Sequence, residues 1–187
     1  MLNVISGILS GGATPDNGQF ESIATVTVGA GGSASVDFTS IPSTYKHLQI
    51  RCLLKDTTSG STDDPAIIRF NGDSGSNYSN HGLYGTGSSA STIASAPTSY
   101  IFAYGTPSNN FSNVFGAAII DILDYTDTNK YKTTRWLNGF DANTTPSSID
   151  FYSGSWRNTA AISSIQFLPV NNNWAQYSSF ALYGIKG

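Results

Sequence analysis

A period of two narrows this chain more than any other feature. Ala24, Val26 and Val28 alternate with Thr25 and Thr27, and Ala34, Val36 and Phe38 alternate with Ser35, Asp37 and Thr39. Leu48, Ile50, Cys52 and Leu54 alternate in the same way with Gln49, Arg51 and Lys55. Successive side chains of a strand point to opposite faces, so each run buries one face and wets the other. Ser, Thr, Gly and Asn make up 80 of the 187 residues, and these types favour turns and strands over helix interiors. Further strand-like runs lie at 66–70, 100–104, 130–140, 149–156, 161–168 and 178–185. Val114–Leu123 is apolar almost throughout, as expected of an inner strand buried on both faces. The pattern predicts an all-β, antiparallel β-sandwich of jelly-roll type with about nine or ten strands, beginning with a hairpin over 24–38. Val36, Phe38, Leu48, Ile50, Ile68, Phe70, Ile120, Ile122, Leu182 and Ile185 are its expected core.

Charge then removes several classes of function. Only 11 % of residues are charged and the net charge is −3, with nine Lys and Arg scattered and no basic run. Such a chain has no stripe to neutralise phosphates, so nucleic acid is not an expected partner. The aromatic share of 12 % supports a packed core rather than disorder. Cys52 is the single cysteine and reads as a small core residue, leaving the fold without a disulfide. No apolar run approaches the roughly 18 residues a membrane-spanning helix needs. The first cation is Lys46, so the N-terminus lacks the basic region of a secretory signal.

Residues 1–19 differ from the rest and read as an arm ahead of a sandwich domain over 20–187. Leu2, Val4, Ile5, Ile8 and Leu9 are too apolar to leave in water, and a Gly- and Ser-rich linker follows them. The arm is expected to dock on a partner or on a neighbouring copy. A second distinctive stretch runs from Ala66 to Ser89. Asn71-Gly72 should end a strand in a sharp turn, because both residues tolerate positive φ. The glycines that follow read as further turns of a long structural loop, built on Asn71, Gly72 and Asp73 and packed by Tyr78 and Tyr84.

No catalytic or cofactor signature stands out, and the expectation is a protein without enzymatic activity, metal or cofactor. His47 and His81 are the only histidines, and neither has a nucleophile or second ligand at a telling spacing. Asn71, Asp73 and Asn77 lack the closing Glu of a calcium loop. Asp121, Asp124 and Asp127 lie three apart: a turn explains them, and an ion held with Asn129 is the alternative. Tyr131, Trp136, Tyr152, Trp156, Trp174 and Tyr177 lie at strand ends or near Asn-rich loops. Such aromatics stack on sugar rings, anchor interfaces, or close the edges of a core.

Three segments carry a resemblance. They are Ser40-Ile41-Pro42 with Tyr45-Lys46-His47-Leu48-Gln49-Ile50, then Arg69-Phe70-Asn71-Gly72-Asp73-Ser74-Gly75-Ser76-Asn77-Tyr78-Ser79, then Phe180-Ala181-Leu182-Tyr183-Gly184-Ile185. Over roughly residues 22–187 the chain resembles a family of small β-sandwich virion structural proteins of tailed bacteriophages, including cyanophages. The resemblance implies a non-enzymatic structural protein of the virion, made in the host cytoplasm. Its expected partners are other virion proteins (the major capsid protein, or tail and baseplate proteins) and further copies of itself. Members serve as head, tail-fibre or generic structural proteins, so the position on the particle stays open. A compact domain with a sticky arm suits head decoration or cement, and a tail or baseplate module binding host glycan through aromatic loops is the alternative.

Overall fold

The computed structural model describes residues 19–144 and 147–187. Leu2, Val4, Ile5, Ile8 and Leu9 of the expected arm lie outside the described residues. Twelve strands and no helix occur among the described residues. They are β1 Phe20–Thr27, β2 Val36–Phe38, β3 His47–Leu54, β4 Asp63–Phe70, β5 Tyr78–Gly85, β6 Ala90–Thr98, β7 Ile101–Pro107, β8 Gly116–Leu123, β9 Lys132–Phe140, β10 Ser148–Trp156, β11 Ile165–Pro169 and β12 Ser179–Ile185.

The strands form two antiparallel sheets. The larger runs β1-β12-β3-β8-β9-β10-β5-β6 and the smaller β2-β11-β4-β7. Eight strands pair first with last in a nested series: β1 with β12, β2 with β11, β3 with β8 and β4 with β7. The hairpins β5–β6 and β9–β10 extend the larger sheet beyond β8. This corrects the hairpin expected over 24–38: β1 and β2 pair with different partners in different sheets. A glycine loop joins them at close range in sequence, but the nested pairing overrides the local option.

The core lies between the sheets and follows the alternation. Val36, Phe38, Leu48, Ile50, Ile68, Phe70, Ile120, Ile122 and Leu182 are all buried, and Cys52 is buried with them. Ile185 is not: it is half-buried, while Phe180, Leu182 and Gly184 face inward along β12. Leu182 and Ile185 are an odd number of residues apart, so a strand cannot turn both to one side.

The stretch 66–89 is also corrected. Within it residues 71–77 and 86–89 form loops, and Tyr78–Gly85 between them is a full strand paired to β10 on one side and β6 on the other. Gly82 is a packing glycine and not a turn: a Cβ there would lie 2.2 Å from the Tyr152 ring. Tyr84 consequently sits on a strand, half-buried, outside the turn it was expected to pack.

Ile120 is fully buried in the middle of β8, between Ile50 and Trp136 on the neighbouring strands. Truncating it to Ala leaves a cavity, and the expected cost is about 2–5 kcal/mol. Chemical unfolding of Ile120→Ala beside the parent chain measures it, and an unchanged midpoint would contradict this register.

Candidate functional site

The corner at 70–78 is a structural knot. Asn71 and Gly72 both have positive φ, 52° and 69°, and Asp73 N–H donates to Phe70 O at 2.9 Å, closing a turn of the mirror-image type that Asn-Gly favours. Asn71 Nδ2 donates to Ala161 O at 2.8 Å, and its Oδ1 accepts from Ser163 N and Ser164 N at 2.9 and 3.1 Å. The Asp73 carboxylate accepts from Trp156 Nε1 at 2.7 Å, from Gly75 N at 2.9 Å and from Asn77 Nδ2 at 3.0 Å. Tyr78 accepts from Phe70 N at 3.1 Å and donates to Asp73 O at 2.9 Å. These partners fill the polar atoms of the corner without a ligand.

The acidic triplet is divided among separate partners. Asp124 accepts from Lys46 and Lys130 at 2.9 and 2.7 Å, and Lys130 also reaches Asp127 at 3.2 Å. The hydrogen bonds from Lys130 and Lys46 hold the Asp124 carboxyl well below the usual carboxylate range. Asp121 instead lies within β8 and accepts from Gln49 Nε2 at 2.8 Å. Asp124 N–H donates to His47 Nδ1 at 2.9 Å, so His47 is engaged as an acceptor there. Among the described residues no group of three or more His, Cys, Asp or Glu is placed to hold a metal ion.

The aromatics proposed for sugar or interface contact separate into two kinds. Trp136, Tyr152, Trp156 and Trp174 are buried in the core, on the inward side of their strands or against Phe180. Their rings cannot meet a partner there. Tyr131 and Tyr177 are exposed, but they flank opposite ends of the larger sheet, before β9 and before β12, and do not form one site.

Two features were not foreseen as sites. The first is a cavity of about 350 Å³ lined by Asp63, Tyr84, Tyr104, Ser148 and Asp150 with Ile93 and Phe140. Burial pushes the Asp150 carboxyl up to about 6 and the Asp63 charge adds to the rise, while Ser148 Oγ, donating to it at 2.7 Å, partly offsets it. The second is the outer face of the larger sheet. Ile119, Leu137, Phe151 and Leu83 are direct cross-strand neighbours from β8 through β9 and β10 to β5. Beside this row run Leu53, Ala117, Gly139 and Ile149. The six large members of these rows are between 44 and 66 % exposed. Small residues at Ala117 and Gly139, walled by Leu53, Ile119, Leu137 and Ile149, form an open groove of about 740 Å³. Two charged residues, Arg51 on β3 and Asp141 just after β9, border the groove, and Asp121 lies opposite Arg135 one row away.

A buried carboxyl pair lies elsewhere, at the start of the β4 region. Asp56 is fully buried and Asp64 nearly so. Burial raises Asp56 to about 7, the neighbouring Asp64 charge adds to this, and Thr58 N–H, donating to Asp56 Oδ1 at 2.9 Å, only partly offsets it. A proton on Asp56 relieves the repulsion between the two carboxyls.

Compared with known proteins, the chain matches no family model, no curated protein and no solved structure.

Two outcomes follow from these sites. Gly72→Val places a β-branched residue at φ 69° and is expected to cost more than about 1 kcal/mol, read from denaturant midpoints, while a chelator leaves the parent midpoint unchanged. Asp56 holds in the fold a proton that the unfolded chain, with a carboxyl near 3.9, releases earlier. Its stabilising contribution is therefore complete below about pH 4 and is lost as pH climbs through about 7. Asp56→Asn, whose amide can donate to Asp64 at every pH, should flatten stability between pH 5 and 8 relative to the parent. Parallel curves in that window would mean the pair is not protonated.

Proposed function

We propose that this chain is a non-enzymatic structural protein of a tailed-bacteriophage virion, and that it decorates or cements the head. The observation that carries this reading is the apolar outer face of the larger sheet. Contiguous exposed apolar patches mark interaction surfaces, and six large apolar side chains in neighbouring register suit a protein built to stand among neighbours. The nested pairing of eight strands is what a double ribbon rolled into two sheets produces, which supports the jelly-roll reading. The three segments of the resemblance coincide with structural knots: the 70–78 corner, and the close approach of Gly184 to the Tyr45 ring, where a Cβ would lie 2.3 Å away. On this reading Leu2, Val4, Ile5, Ile8 and Leu9 dock on a neighbouring protein of the particle, the major capsid protein or another copy.

A tail-fibre or baseplate module that binds host glycan is the second reading. The cavity beside Tyr84 and Tyr104 favours it, because carboxylates accept from sugar hydroxyls and phenol rings pack on sugar C–H faces.

Counting copies in purified particles separates the two. A number on the order of hundreds places the protein on the head shell, and about six or a small multiple places it on the tail. Absence from the particle overturns both. A chain starting at Phe20 is expected to keep its β-rich circular dichroism and to stop binding emptied particles. Binding equal to that of the full chain would remove the anchoring role from the arm.

A further inference from the structure

The groove on the outer face and the apolar segment at the N-terminus answer each other, and we propose that residues 2–9 of one copy occupy the groove of a second copy. This rests on the reading of the arm as a docking element and names its partner. Four observations support it.

The chemistry matches first. Met1–Pro15 carries no charged residue and holds five aliphatic side chains within residues 2–9, while the groove between Leu53, Ile119, Leu137 and Ile149 is floored by Ala117 and Gly139. A trough with small residues at its floor and large ones at its walls accepts protruding aliphatic anchors. A flat apolar surface would not select them.

The point of entry matches next. The described chain enters β1 at Phe20, an exposed residue on the same outer face, with the Arg51 guanidinium 5.7 Å from its ring centre. Eighteen residues precede the described part. They start at the rim of the face that needs covering.

Length decides between a copy's own groove and its neighbour's. Phe20 lies level with Ile185 and His47, one end of the sheet, whereas the groove centres near Ala117 and Gly139, toward the other end. Between three and four strand spacings across and six residues along put the groove about 26 Å from Phe20. Residues 10–19, between Leu9 and Phe20, number ten; they span about 18 Å on average as a Gly-rich chain and about 37 Å at full stretch. Reaching its own groove would stretch the linker well beyond its average span, across the Arg51 and Tyr183 side chains. A neighbour set beside that rim has no such constraint.

The alternatives at the sheet edge are poorer. The outer edge strand β6 is rich in Ala, Ser and Thr and contains Pro97, which offers no N–H to an added strand.

Disulfide trapping in the full chain tests this. Ile5→Cys and Ile149→Cys are prepared separately and mixed under mild oxidation. Both variants carry Cys52→Ser, because the native cysteine, though buried, is among the residues lining the groove. The expected result is a covalent two-chain species in the mixture, at least several-fold above either variant alone, with the circular dichroism of both unchanged. Should Ile149→Cys not fold, Leu53→Cys on the opposite wall replaces it. In parallel, Leu137→Asp and Ile5→Asp should each turn an oligomer in sedimentation velocity into a monomer. A parent chain that is monomeric at tens of micromolar overturns the proposal. So does a crosslink that is absent from the mixture but forms within one chain when Ile5→Cys and Ile149→Cys are combined in a single double variant, which puts the arm in its own groove, or one that forms with Ile149→Cys alone, which pairs face with face. None of these measurements uses virus particles, so absence of the protein from virions would leave their result standing.

Discussion

Trp156 is buried at the end of β10, and its indole N–H has only the Asp73 carboxylate to donate to. A buried indole N–H left unpaired costs roughly 1–3 kcal/mol, so this contact makes a demand on the chain around Asp73. The acid must point inward just after β4 ends, which requires the chain to reverse at Asn71-Gly72. Its remaining oxygen capacity is taken by Gly75 and Asn77. Burial works against the ionised Asp73, yet the hydrogen bonds from Trp156, Gly75 and Asn77 together hold its carboxyl below the usual range. The Tyr78 ring stacks on Trp156 with centroids 6.3 Å apart and closes the corner from the other side. Since β4 belongs to the smaller sheet and β5 to the larger, this one ion-assisted contact fixes how the sheets are joined.

Much of this was legible in the residues. Alternation alone locates the core of β2 and β3, because a strand with one wet face has no other way to write itself. Asn71-Gly72 announced its turn through the two residue types that tolerate positive φ. The failures have physical causes as well. Gly82 was read as a turn because a glycine's need for space looks the same in sequence as its need for freedom, and only the Tyr152 ring above it distinguishes them. The neighbouring β1 and β2 were read as a hairpin because a short glycine loop permits one, whereas long-range pairing with β12 and β11 prevails. Trp136 and Trp156 face inward by the parity of their strands, which a count along one strand cannot orient without its partner, and Trp174 is buried against Phe180 outside any strand.

Lys132 shows the same limit from the polar side. A lysine in a run of alternating residues reads as solvated, yet it is fully buried, donating to the carbonyls of Lys130 and Thr159 at 3.0 Å and to that of Asp127. Three carbonyl partners converge because the 124–131 turn folds back over the start of β9. Burial lowers the pKa of its amine, and the nearby Asp127 and Asp124 charges only partly offset this. It closes the end of the sheet, much as Tyr125 does by donating to Pro42 O.

The outer face of the larger sheet is where sequence and fold pull hardest against each other. Val114–Leu123 has the composition of a strand buried on both sides, and the fold buries Ala118, Ile120 and Ile122 while leaving Ala117, Ile119 and Leu123 exposed. The same holds for β9 at Leu137 and for β10 at Ile149 and Phe151. One such residue on a surface needs no explanation, since much of any protein's surface is apolar. Here they are register partners on four consecutive strands, so they form one surface and not a scatter. The expectation of a strand buried on both faces is met on one face only, and the other is open to solvent. Under the proposed pairing of copies, the uncharged residues 2–9 of a neighbour cover it.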